Sequence, residues 1–141
     1  VAEAPPGSGA VARAFASAAA RSLSAEPGLR AEHAAGGASG GRAWALVALR
    51  AEDEGLDALP GRVDRALRTI AHGWPALAER AVEAAAEARA WAGGSVGDLA
   101  RRLALDPPTT PSPADARALL ERLAQRPPVF VVRRPPGDAR D

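Results

Sequence analysis

The sequence predicts an α+β fold, a small and mostly antiparallel sheet with helices packed on one face. Two segments carry that prediction. Leu29–Ala34 alternates, with Leu29, Ala31 and His33 on one side and Arg30 and Glu32 on the other. Arg42-Ala-Trp-Ala-Leu-Val-Ala-Leu-Arg50 is an apolar run of strand length. The remaining long segments repeat at helical spacing, one before this pair and four after it, and Val129–Val132 reads as a short closing strand. The expected order is α-β-β-α-α-α-α-β.

Residues 1–9 are rich in Pro and Gly and read as a flexible lead-in. Val11, Phe15, Ala18, Ala19 and Leu23 recur near helical spacing on an alanine background, so a helix is expected from Ala10 to Ser24. Pro27-Gly28 ends it. Residues 35–41 read as a glycine-rich connection, long for a hairpin. In the second strand Trp44, Leu46 and Ala48 point one way and Ala45, Val47 and Leu49 the other. Both sides are apolar, which predicts a central strand covered on at least part of both faces, with Trp44 and Val47 in the core.

After Glu52-Asp-Glu-Gly55, the residues Leu59, Val63, Ala66, Leu67 and Ile70 form one stripe of a helix, with Arg62, Arg65 and Arg68 outside. Pro60 suits its first turn. A second helix runs from about Pro75 to Ala92, packed through Leu77, Ala81, Val82, Ala85 and Trp91, and Gly93-Gly94 stops it. Ser95 caps a short helix to Leu105. Ser112-Pro113, with Asp115 three residues after the cap, opens a last helix carrying Leu119, Leu120 and Leu123. Pro127-Pro128 ends it.

At 141 residues this makes one α/β domain over 10–134, followed by a polar tail at 135–141. The 47% hydrophobic content is largely alanine, so the larger anchors Phe15, Trp44, Trp74, Trp91 and Phe130 matter disproportionately. Each buried one stabilises by roughly 1.5–3 kcal/mol. Net charge is +1 and every basic residue is arginine, a composition that fits a GC-rich genome better than a nucleic-acid partner. The arginines are scattered among acids and form no basic stripe. No cysteine is present, which excludes disulfides and thiolate chemistry. No apolar run reaches the ~18–20 residues of a membrane span. Residues 1–9 lack the regions of a signal peptide, so a soluble, cytoplasmic protein is expected if Val1 is the native start.

Catalytic, cofactor-binding and metal-ligating residues are all absent from this reading. His33 and His72 are the only histidines, and neither belongs to a zinc-binding helical motif. Glu79, Glu83 and Glu87 form an i, i+4 row that reads as a solvated acidic face. Gly36-Gly37 and Gly40-Gly41 precede a strand and lack a following Gly-Lys-Ser/Thr, so they are no phosphate loop. The Gly-x-Ser-x-Gly strings at 37–41 and 93–97 form no nucleophile elbow, since a strand follows the first and a helix precedes the second, where the elbow needs a strand-to-helix turn. A winged-helix DNA-binding unit over residues 95–134 is the alternative reading. The stiff Asp106-Pro-Pro-Thr-Thr-Pro111 replaces its tight turn, and the helix that would read bases begins Pro-Ala-Asp.

The order from Val11 to Arg134 resembles a domain of the insulinase/pitrilysin-type zinc metallopeptidases. The matching pieces are Gly28-Leu29, the run from Gly40-Gly41 to Leu49, the helix around Leu56–Ile70, Val96–Leu105, and Ala114–Val132. Pro128-Val-Phe-Val-Val-Arg-Arg-Pro135 is similar to the family's closing strand. The family's His-x-x-Glu-His motif is absent, so the resemblance implies a non-catalytic domain without zinc or peptidase activity. Such domains face a catalytic domain across a peptide-holding chamber. They often carry an arginine before the Gly-Leu strand and a tyrosine within it that contact substrate; Ser24 and Ala31 stand at those offsets. The family's strand before the first helix has no counterpart in this reading. The implied role is scaffold or peptide-binding partner of a catalytic subunit, or self-association through an exposed sheet edge; a small structural interaction module is a further alternative.

Overall fold

Alanine has the highest helix propensity and the thinnest side chain after glycine, and both properties shape the first helix. The computed structural model describes residues 2–5, 7–51, 57–92 and 110–131. Its elements are β1 (Ala2–Glu3), α1 (Gly9–Ser24), β2 (Leu29–Ser39), β3 (Arg42–Ala51), α2 (Leu59–Ala71), α3 (Trp74–Ala92) and α4 (Pro113–Gln125). The three strands form one antiparallel sheet in the order β1-β3-β2, with the helices on one face.

The lead-in expected at residues 1–9 is therefore structured in part. Ala2 and Glu3 pair with Ala43 and Arg42, and the Ala4 amide donates to the Gly41 carbonyl at 2.8 Å. Ala2 is 2% exposed. A two-residue strand is below the length at which sequence pattern carries a signal.

The connection expected at 35–41 is also mostly strand. β2 runs to Ser39, and only Gly40 and Gly41 turn the chain, at φ +56° and +70°. Two successive positive φ values match the right-handed twist of the flanking strands, and glycine adopts them without steric cost. A bulge lies between Ala31 and His33, because His33 pairs with Ala48 although Ala31 pairs with Leu49. The extra residue, Glu32, reverses the alternation. His33 therefore leaves the side shared by Leu29 and Ala31, contrary to strict period-2 reading.

α1 ties the sheet to the rest. A Cβ built on Gly36 would fall 2.4 Å from the carbonyl carbon and oxygen of Ala12 and 2.6 Å from the Arg13 nitrogen. Helix backbone rests directly on strand backbone there, so the contact admits no side chain. One core cluster joins Val11, Ala12 and Phe15 to Trp74, Ala78 and Ala81 of α3, to Leu119, Leu120 and Leu123 of α4, and to Ala2 and Ala43. The Phe15 and Trp74 rings stack at 5.9 Å between centroids. A second cluster holds Leu23, Leu29, Leu59, Val63 and Ala66, with Val47 and Leu49 packed against it. α1 contributes buried residues to both.

The helix ends follow local chemistry. Ser112 Oγ accepts from the Asp115 amide at 3.1 Å and donates to the Asp115 carboxylate at 2.7 Å, with Pro113 beginning the helix. Pro60 lies in the first turn of α2, and His72 is its C-cap.

Two further sequence expectations fail. Residues 129–131 are not in the sheet; Val129 is 90% exposed and Phe130 is no core anchor. Consecutive apolar residues do not by themselves make a strand, because strand propensity yields to tertiary context. Among the described residues β3 is covered on one face only: Ala43 is buried, and Ala45, Val47 and Leu49 pack against the core, but Trp44 is exposed. The helix expected at 95–105, the linker from 106 and the tail at 135–141 lie outside the described residues.

Gly36→Val should destabilise the domain by at least about 1–3 kcal/mol, since helix backbone cannot move aside as a side chain tip does. Gly61→Ala, in α2 with nothing within 4 Å of the added Cβ, should stabilise by up to about 1 kcal/mol. Urea denaturation checks both; a Gly36→Val midpoint equal to that of the parent would refute the close contact.

Candidate functional site

The sequence reading names no catalytic, metal or cofactor residue, so the candidate site is a part of the sheet that the described helices leave uncovered: its open face and the edge formed by β2. On the face opposite the helices, the register sets Gly37 beside Trp44, Ala35 beside Leu46, His33 beside Ala48 and Arg30 beside Arg50. Trp44 is 40% and Leu46 52% exposed. A Cβ on Gly37 would lie 2.9 Å from the Trp44 ring, so the indole lies across the glycine and shields the strand that lacks a side chain. Arg30 and Arg50 stand directly opposite, a repulsive arrangement that Glu32 offsets at 3.8 Å from Arg50. That exposed ion pair contributes little stability.

β2 is the edge strand. Along an antiparallel ladder, residues that exchange hydrogen bonds with the partner alternate with residues whose polar groups turn away. The tight turn makes Ser39 and Arg42 an inward pair, which turns the N–H and C=O of Ala38, Gly36 and Ala34 outward. At the other end the Ala31 amide donates to Ser24 Oγ at 3.0 Å, so it too turns outward. The bulge and the charges of Arg30 and Glu32 blunt the first part of the edge. Ala34–Ser39 is small, uncharged and free of proline, lacking the usual devices that prevent pairing.

A shallow depression of about 490 Å³ runs between α1 and this edge, lined by Ala20, Arg21, Ser24, Ala25 and Ala31. Ser24 and Ala31, the two positions singled out from the sequence, thus meet in one place. Neither carries the long side chain expected there by resemblance.

The other polar residues are dispersed. His33 is exposed on the open face through the bulge, and His72 is exposed at the end of α2. Glu79, Glu83 and Glu87 are all exposed along α3. Among the described residues no group of three or more His, Cys, Asp or Glu is placed to hold a metal ion. The outward side of α4 is mixed: Arg117 pairs with Glu121 at 3.1 Å, and Asp115 is held by Ser112. No helix among the described residues is long and apolar enough to cross a membrane. Sequence reasoning missed the edge of β2 because Ala34–Ser39 has low strand propensity; the signal available was Gly40-Gly41 immediately before an apolar strand. Comparison with protein-family models, characterised proteins and solved structures finds no match.

Trp44→Asp should cost less than about 1 kcal/mol, because the charge stays in water. Val47→Asp, which faces the second core cluster, should cost at least about 2 kcal/mol. Thermal unfolding of the two variants measures this directly; equal losses would mean that the open face is covered.

Proposed function

We propose that the chain is a non-catalytic scaffold and peptide- or protein-binding domain, of the kind that accompanies the catalytic subunits of insulinase/pitrilysin-type peptidases. It binds by accepting a partner's strand along the edge of β2. The observation that carries this reading is the outward-turned backbone of Ala34, Gly36 and Ala38, bordered by small residues and by α1. Main-chain hydrogen bonds at such an edge supply affinity, and the bordering side chains supply selection.

Three further observations support the tie to that family. β2 and β3 pair as a hairpin, and the helices share one face of the sheet. β1 supplies a strand before the first helix, the piece that had no counterpart in the sequence. Ser24 and Ala31, at the offsets of the family's substrate-contacting residues, adjoin the same edge. Val129–Val131 departs from the family order by standing outside the sheet. The winged-helix alternative has less support, since α4 packs through Leu119, Leu120 and Leu123 into the core and presents alternating charge outward.

A labelled, end-blocked peptide of alternating threonine and valine is expected to bind saturably, as read by fluorescence anisotropy. Ala38→Pro removes an outward N–H without breaking a β2–β3 hydrogen bond. It should lower affinity at least tenfold while circular dichroism stays unchanged. Undiminished binding by the folded Ala38→Pro protein would sink the edge as the site.

A further inference from the structure

Three features of the molecule remain without a role: the open face with Trp44 and Leu46, the acidic row on α3, and the arginines that flank the β2 edge. The third points to a partner.

α1 presents an exposed stripe of Arg13, Ser17, Arg21 and Ser24. Arg21 and Ser24 line the depression beside Ala31. Arg13 stands at the opposite end of the same edge. A Cβ on Gly9 would lie 3.5 Å from Arg13 Nη1 and 3.6 Å from the Ala38 nitrogen, so the guanidinium and that outward amide share one neighbourhood. The two arginines thus mark the two ends of the edge segment, with Ser17 midway between them on the stripe. Among the described residues neither makes an ion pair, whereas Arg50, Arg65, Arg68 and Arg117 each do. The carboxylates nearest Arg21 in sequence are engaged elsewhere: Glu26 holds Arg65 at 3.0 Å and Glu32 faces Arg50.

Spacing then restricts the ligand. Eight residues of helix separate Arg13 from Arg21 by about 12 Å along the axis. On an extended chain, side chains on one face recur every second residue, so positions i and i+4 lie about 13 Å apart. The same interval on a helix spans only about 6 Å. A strand added to β2 would turn alternate side chains toward α1. Its acids at i and i+4 would then meet the two guanidinia. Its residue at i+2 would lie over Ser17, whose hydroxyl both donates and accepts and so suits a second small hydroxyl.

We infer that the groove between α1 and the β2 edge selects an extended acidic segment of another chain. Its pattern is acid, any residue, serine or threonine, any residue, acid. This rests on the reading of β2 as the docking strand and adds the chemistry of what docks there. A second copy of this chain is not the occupant. The acids four apart in its own sequence are Asp53 and Asp57, Glu79 and Glu83, and Glu83 and Glu87, with Gly55, Ala81 and Ala85 midway in place of a hydroxyl. The last two pairs are moreover helical in α3, where Ala81 and Ala85 are buried.

The test compares three labelled, end-blocked peptides on the full chain: Thr-Thr-Glu-Val-Thr-Val-Glu-Thr, the same with glutamine for both glutamates, and the same with lysine. Anisotropy reads affinity, and amide chemical shifts of Ala34, Gly36 and Ala38 read location. The glutamate peptide should bind at least tenfold tighter than the glutamine one, and the lysine peptide weakest. The preference should shrink at 0.5 M salt and disappear in Arg13→Gln/Arg21→Gln. Arg13→Lys/Arg21→Lys should restore most of it, which a loss of folding would not allow. Equal affinities, with shifts still at the three amides, would overturn the acidic preference and leave the docking edge standing. Tight glutamate binding that leaves those amides unmoved, or no binding by any peptide, would overturn both. Self-association competing with the peptide on sedimentation would replace the foreign chain by a second copy and likewise overturn the inference.

Discussion

The contact between the backbone of Ala12 and Gly36 is the constraint on which the rest of the domain depends. It brings α1 so near the sheet that only glycine fits beneath it. A larger residue at 36 would lift the helix, and among the described residues α1 is the only element with buried members in both core clusters. Lifting it would separate Phe15 from Trp74 and Leu23 from Val63 together. The alanine content of α1 follows from the same requirement, since small side chains let the helix lie close to strand and helices alike while keeping helix propensity high.

That geometry also explains why the sheet is one-sided. Helical mass gathers over Ala43, Ala45, Val47 and Leu49, and the described residues supply no layer for the face bearing Trp44 and Leu46. Trp44 is accommodated there by lying across Gly37, which buries part of the indole without a second layer. Gly36 and Gly37 therefore serve opposite faces of one strand, the first admitting a helix and the second an aromatic ring. The stretch they need is small and uncharged, and for that reason it lacks the charges and prolines that commonly block an edge.

The described helices, the Ser112 cap and the central strand were legible in the sequence because each rests on a local signal: 3.6-residue spacing in Leu59–Ile70, Ser112 with Asp115 in α4, an apolar run at 42–50. The second half of β2 was not legible. Alanine, glycine and serine have weak strand propensity, and pairing with Ala43–Leu46 together with the α1 contact overrides it. β1 is two residues long and is defined by its partner alone. The exposure of Trp44 was hidden because period-2 pattern shows two apolar faces without saying how many layers exist to cover them. The bulge at Glu32 has no marker in composition, yet it decides where His33 points. For the candidate site, Ser24 and Ala31 were placed by the family resemblance, while Arg13 and Arg21 stand in no sequence pattern that sets them apart from other helix arginines.

The central claim is that α1 holds β2 as a strand whose outer side is open for pairing. Residue-resolved amide hydrogen exchange on the isolated chain tests it most directly. The account predicts alternation along one strand: Ala35, Gly37 and Ser39, which face β3, should exchange slowly, and Ala34, Gly36 and Ala38 should exchange at least a hundredfold faster. Uniform protection of all six would mean that another segment already occupies the edge, and uniform fast exchange would mean that the second half of β2 is not a strand.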